Sequence, residues 1–110
     1  MRLNVWNLKS EIFKSKVMNI KILTPEYVVF EGEVDSILLP GKSGEFQMFK
    51  NHAAVVSALV SGDVKLFTEQ INAPYSKNFT QDNDGKPVFS FPIKSGVLEF
   101  SNDKGIILCE

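Results

Sequence analysis

The 110-residue sequence has one cysteine and one histidine, no long apolar run and no surplus of basic residues. Each shortage removes a class of explanation. A lone cysteine, Cys109, cannot close an internal disulfide. Together with His52 it still falls short of the four ligands of a structural zinc site, so neither a metal nor a cofactor is expected. A reducing compartment fits this cysteine usage. Apolar runs stop after a few residues, against the roughly 20 needed to cross a bilayer, so any link to a membrane must pass through a partner. The net charge is -1 and no Lys/Arg stripe is interleaved with aromatics, which leaves nothing to hold a nucleic acid.

What the chain does have suits one packed domain: 44% hydrophobic and 23% charged residues at a common domain length. Charge is uneven. Residues 1–17 hold Arg2, Lys9, Lys14 and Lys16 against Glu11 alone, so the remainder is net acidic. In this segment Val5, Leu8 and Ile12 fall at helical spacing, with Trp6 and Phe13 nearby, which predicts a short helical or disordered extension. It lacks the apolar core and the small-residue cleavage site of a secretory signal. A surface-docked extension, a weak interfacial anchor, or a reading frame that starts naturally at Met18 are its alternatives.

From Met18 onward the period is two. Met18, Ile20 and Ile22 alternate with Asn19, Lys21 and Leu23, and similar patterns surround Val34 to Leu39, Val64 to Phe67 and Val97 to Phe100. Several of these stretches are apolar on both faces. Breaks at Thr24-Pro25, Glu31-Gly32, Pro40-Gly41, Ser61-Gly62, Asp84-Gly85, Ser95-Gly96 and Asp103-Lys104-Gly105 recur at the spacing of a β-sandwich or barrel. Residues 18–110 are therefore expected to be all-β, a flattened sandwich or barrel of eight to ten strands, with Asn102-Asp103-Lys104-Gly105 as a hairpin turn. Residues 68–86 are polar and without period, and are expected to form an inserted mobile hairpin loop that tolerates trimming. Asn78-Phe79-Thr80 inside it matches a glycosylation acceptor, a pattern that arises easily by chance.

Chemical motifs are sparse. Neither Cys109 nor His52 lies in a nucleophile elbow or beside a second base, so a thiol enzyme is a third reading only. Glu31, Glu33 and Asp35 share one strand face and read as solvated edge charges that oppose aggregation. Gly41 and Gly44 resemble half of a phosphate loop, but no Gly-Lys-Ser/Thr follows. Recognition remains. In residues 41–59 a short strand carries Glu45, Phe46, Gln47, Met48 and Phe49, and Lys50-Asn51 make a turn. His52 then opens the strand through Ala53, Val55, Ser57 and Leu59. Phe46 and Met48 are expected to face inward and Phe49 outward, toward a partner.

The order Leu23-Thr24-Pro25-Glu26, Val29-Phe30-Glu31-Gly32-Glu33-Val34, Leu39-Pro40-Gly41, Gly44-Glu45-Phe46, His52-Ala53, Ser95-Gly96-Val97-Leu98-Glu99-Phe100 and Lys104-Gly105-Ile106-Ile107-Leu108 resembles the N-terminal β-sandwich of the F-type ATP synthase epsilon subunit, called delta in mitochondria. The resemblance covers residues 18–67 and 88–110. It implies a non-catalytic rotor subunit beside the gamma subunit, resting on the polar loops of the c-ring and touching the alpha/beta assembly indirectly. It further implies a peripheral location on the cytoplasmic face of the bacterial inner membrane, without insertion. Carried over position by position, Gly41, Ser43, Gly44, Glu45 and Phe46 would touch the c-ring, and Thr24, His52, Ala53 and Ser57 would face gamma. Asn51 replaces the family's glycine before the histidine and Ala54 its proline; Asn tolerates the same positive φ. Many members continue into a helical hairpin that restrains hydrolysis and sometimes binds ATP. Here the sequence stops at Glu110, after the last strand, so neither property is carried over. The competing reading is a free-standing module that grips a peptide or glycan with residues 68–86.

Overall fold

The computed structural model describes residues 17–82 and 85–110; the predicted N-terminal extension, but for Val17, lies outside them. The period-two pattern folds into ten strands: β1 (Met18–Leu23), β2 (Val28–Val34), β3 (Ser36–Gly41), β4 (Gly44–Phe49), β5 (Val55–Leu59), β6 (Gly62–Phe67), β7 (Thr80–Gln81), β8 (Val88–Ile93), β9 (Gly96–Ser101) and β10 (Lys104–Cys109). They form one hydrogen-bonded sheet in the order β2-β1-β10-β9-β5-β3-β6-β8-β7, with β4 paired to β3. Only β1 and β10 run parallel, in register from Asn19 opposite Lys104 to Leu23 opposite Leu108. The sheet curls so that one face becomes the core. Ile20, Ile22, Ile37, Leu39, Met48, Val64, Leu66, Leu98 and Ile107 point into it, each essentially without solvent contact.

Turn chemistry sets the hairpins. Asn102 and Asp103 both adopt positive φ, 50° and 59°, the pair of left-handed residues that a two-residue type I′ hairpin between β9 and β10 demands. Asn51 has φ 72°, the left-handed bend expected of it. Phe46 is half-buried, Met48 is buried and Phe49 is 57% exposed, the division expected from their alternation in β4.

Several expectations need correction. Residues 34–39 are not one strand: the chain breaks at Asp35, whose amide donates to Phe67 O (2.8 Å), and the break lets it pass from β2 into β3. Glu31-Gly32 lies inside β2 and Pro40-Gly41 inside β3, so neither is a turn. Pro40 costs the β3–β4 ladder no bond, because residue 40 turns its backbone polar groups away from Glu45 and toward Val60, whose N donates to Pro40 O (2.9 Å). His52 and Ala53 precede β5 rather than belonging to it.

The segment 68–86, expected to be a loose loop, is corrected most. Ile71 is buried, Tyr75–Asn78 form a 3₁₀ turn, and β7 pairs with β8. Phe79 meets Phe30 of β2 at 5.9 Å between ring centroids and Phe91 of β8 at 5.8 Å. Tyr75 stacks edge-on to Phe30 at 5.8 Å. Asn78, the residue of the glycosylation pattern, is half-buried and donates through Nδ2 to Val29 O (2.9 Å). These contacts bridge strands from the two ends of the sheet and close the open mouth of the curl. An edge-to-face aromatic chain adds directional attraction to area burial.

At one end of the sheet a single residue, Asp103, ties three segments together. Asp103 Oδ1 accepts from Asn51 N (2.6 Å) and Oδ2 from Lys50 Nζ (2.9 Å), while its backbone oxygen accepts from Asn19 N (2.9 Å). The Asn51 amide first, and the Lys50 ammonium second, hold the Asp103 carboxyl below its ordinary value of 3.8. A carboxylate favoured in the folded state stabilises the fold above the unfolded value and loses that contribution as pH falls through the lowered one.

Two outcomes are expected. In urea, Phe79→Ala costs about 2 to 3 kcal/mol of unfolding free energy, because it opens the seam, whereas Ser76→Ala on the same segment stays within about 0.5 kcal/mol. At neutral pH the wild type unfolds at higher denaturant than Asp103→Asn, and the gap closes on acidification below about pH 4. A gap that stays constant from neutral to strongly acid pH contradicts the assignment.

Candidate docking site

The β3–β4 hairpin projects Lys42 and Ser43 at its tip, between the paired Gly41 and Gly44. Gly44 takes φ 120°, a conformation that side chains rarely adopt. Gly41 lies beneath the Phe46 ring, where an added Cβ would come within 2.7 Å of ring atoms. Of the five residues expected to contact a ring of loops, Ser43, Gly44 and Glu45 are exposed at this tip. Gly41 is buried and Phe46 half-buried, so these two hold the tip's shape. Lys42, beside them and exposed, went unnoticed in the sequence; its place between two turn glycines was the available signal.

The four residues expected to face a shaft are not brought together. Thr24 follows β1 at the hairpin-tip end of the sheet, where its Oγ1 accepts from Glu26 N (3.2 Å) and Tyr27 N (3.1 Å), so its hydroxyl closes the chain's own turn. His52 and Ala53 lie at the opposite end, exposed, in the loop after Asn51. The His52 ring stands edge-on to Phe100 at 6.1 Å, and its Nδ1 lies 2.7 Å from Ala53 O. Ser57 sits midway along β5, half-buried, on the same face of that strand as Leu59.

A more continuous surface lies on the outer face. Across β5, β9, β10 and β1 the register aligns Ala58 with Val97, Leu108 and Leu23 in one row. The next outward row is Val56, Glu99, Ile106 and Lys21. Val56 is 71% exposed and Leu108 51%, where strands of an ordinary surface carry polar residues. Two shallow hollows flank this face. One, of about 480 Å³, is formed by Leu23, Pro25, Val97 and Leu108. The other, of about 560 Å³, lies among Ala54, Val56, Glu99, Lys104 and Ile106, so the loop carrying His52 forms one of its walls. The signal for this face was present in the sequence as strands apolar on both sides. Exposed apolar side chains grouped on one sheet face in this way mark an interaction surface.

Nucleophilic chemistry finds no support in the geometry. Cys109 is buried at the far end of β10, its Sγ 3.5 Å from Leu23 O, and burial pushes its thiol pKa up. His52 packs against Phe100, which pairs with Gly105, and Cys109 lies four residues further along β10, about 13 Å at strand rise. A protonated, enclosed thiol out of reach of the imidazole is a packing residue. Glu31 and Glu33 are exposed on β2, which ends the sheet order, in keeping with edge protection. Among the described residues no three acidic, histidine or cysteine side chains converge on a cation position. No helix among them is long and apolar enough to cross a membrane.

Comparison with known proteins agrees with this architecture. Residues 17–110 match the family model described as ATP synthase, Delta/Epsilon chain, beta-sandwich domain. The ATP synthase epsilon chain of Chlorobium limicola is 36% identical over 95 residues, covering 86% of this chain and 91% of that one. That of Campylobacter jejuni strain RM1221 is 45% identical over 56 residues, which cover 51% of this chain and 43% of its own. Among solved structures, a chain of the Tetrahymena thermophila mitochondrial ATP synthase central stalk and c-ring shares the fold with a TM-score of 0.61 at 14% identity, covering 84% of this chain and 62% of that one. The chain therefore belongs to the ATP synthase delta/epsilon family and is built on its β-sandwich domain.

Proposed function

We propose that this chain is a non-catalytic epsilon subunit of the central stalk of a proton-translocating F-type ATP synthase. It docks to the gamma subunit and to the polar loops of the c-ring, and meets the alpha/beta assembly only through them. It works as a peripheral protein on the cytoplasmic face of the bacterial inner membrane. The observation that carries this reading is the outward apolar face of β5, β9, β10 and β1 on a chain of this family, since a freely tumbling domain has no use for a 71%-exposed Val56 in such company.

Torque transmission asks for a body that does not deform and a footing that does not slide. The curled sheet supplies the first because its interior, closed by the Phe30, Phe79 and Phe91 chain, is packed at solid-like density. For the second, apolar contact dominates: at about 25 cal/mol per Å², a few hundred Å² outweighs an exposed ion pair worth about 0 to 1 kcal/mol. Glu45 and Lys42 at the hairpin tip then supply register on the c-ring rather than most of the affinity. The peptide- or glycan-gripping alternative loses its instrument, because Tyr75 and Phe79 of the segment 68–86 are turned onto the core.

The decisive test is co-purification: with the full chain tagged and membranes gently solubilised, gamma and the catalytic subunits are expected in the eluate. Capture of none of them contradicts the proposal. Within a capturing preparation, Glu45→Ala lowers recovery of the c-ring less than about fivefold, consistent with one exposed charge. Ala53→Glu places an unpaired charge in the gamma contact and lowers gamma affinity at least about tenfold; unchanged affinity would show that this loop lies outside the contact.

A further inference from the structure

The loop assigned to gamma, residues 50–54, is short of stabilising contacts of its own. Asn51, His52, Ala53 and Ala54 are all exposed, and Asn51 holds a left-handed backbone conformation. Its backbone tie within the β4–β5 connection is His52 N to Phe49 O at 3.3 Å, a long bond. What fixes it comes from 52 residues away: the Asp103 carboxylate, which takes the Asn51 amide on one oxygen and the Lys50 ammonium on the other. Asp103 is itself set rigidly, by the type I′ turn it forms with Asn102 and by the bond from Asn19 N to its carbonyl. The 560 Å³ hollow has Ala54 on one rim and Asn102 on the other, so this bridge spans its two walls.

We infer that Asp103 is a positioning residue for gamma recognition: by clamping Asn51 and Lys50 it holds the loop bearing His52 and Ala53 in the one conformation that completes the docking face. The inference rests on the rotor reading above. Asp103 need not touch gamma to act. A loop released from the clamp spends only a fraction of its time in the competent arrangement, and the apparent affinity falls by that fraction.

The sequence offers a clean variant. Asp103→Gly leaves Asn-Gly at the turn, the pair most favoured in a type I′ hairpin, so the β9–β10 connection survives while both side-chain bonds vanish. With the full-length chain and purified gamma, Asp103→Gly is expected to weaken binding about tenfold, with faster hydrogen exchange at the Asn51 amide and an unfolding midpoint lowered by about as much as in Asp103→Asn, the favoured Asn-Gly turn offsetting the second lost bond. Asp103→Asn keeps an acceptor for that amide and restores affinity to within about threefold of wild type. Ile93→Val, a core change remote from the loop, leaves gamma affinity within about twofold although it lowers stability. Should Asp103→Gly fold poorly, Lys50→Met and Asp103→Asn, each removing one part of the clamp, must still rank below wild type in gamma affinity. Wild-type affinity in Asp103→Gly, with the Asn51 amide demonstrably freed, overturns the positioning role and leaves the rotor reading intact. A wild-type chain that does not bind gamma overturns both.

Discussion

A single sheet has two faces, and this chain carries enough apolar side chains for more than one of them. The inner face is closed by curling the ten strands on themselves, which buries Ile20, Ile22, Leu39, Met48, Leu98 and Ile107. The outer face over β5, β9, β10 and β1 has no such cover among the described residues, and there Val56, Val97, Ile106 and Leu108 meet water. That imbalance is the constraint from which the rest follows. Hydrophobic burial is the main favourable term in both folding and association, so a surface left apolar after folding is already shaped for association.

The polar elements make sense around that constraint. Charged residues concentrate where the sheet ends or the chain turns: Glu31 and Glu33 on the terminal strand β2, Lys42 and Glu45 at the β3–β4 tip, Lys50 and Asp103 at the opposite end. They protect edges, fix turns and set register. The aromatic chain from Phe30 through Phe79 to Phe91 performs the complementary task of closing the seam where β2 and β8 approach. A body stiffened in this way, with one face apolar and its two ends polar, suits a part that must be gripped from the side and rest on a polar ring.

Much of the fold was legible because it is local. Period-two alternation located β1, β6 and β9 to within two residues, and the inward Met48 and outward Phe49 follow from the same rule. Asn51 and the Asn102-Asp103 turn could be read because few residues accept positive φ. The failures share a cause of the opposite kind. Ile71, Tyr75 and Phe79 sit among polar neighbours without strand or helix period, and the ring partners of Tyr75 and Phe79, Phe30 and Phe91, belong to distant strands. Pro40-Gly41 looks like a turn until the pairing with Glu45 shows a ladder position that uses no N–H from residue 40. The positions of Thr24 and His52 at opposite ends of the sheet likewise follow from strand register and not from any local pattern. The bond from Asp103 to Lys50 spans 53 residues, beyond any local pattern.

The central claim is that the outer face of β5, β9, β10 and β1 is covered when the chain is in place. Covalent surface footprinting of the chain, free and within the isolated synthase, measures this side chain by side chain. The account predicts strong protection in the complex at Val56, Val97, Ile106 and Leu108, with the seam around Tyr75 and Lys77 unchanged. Protection confined to the seam, with those four side chains labelled equally in both states, contradicts it.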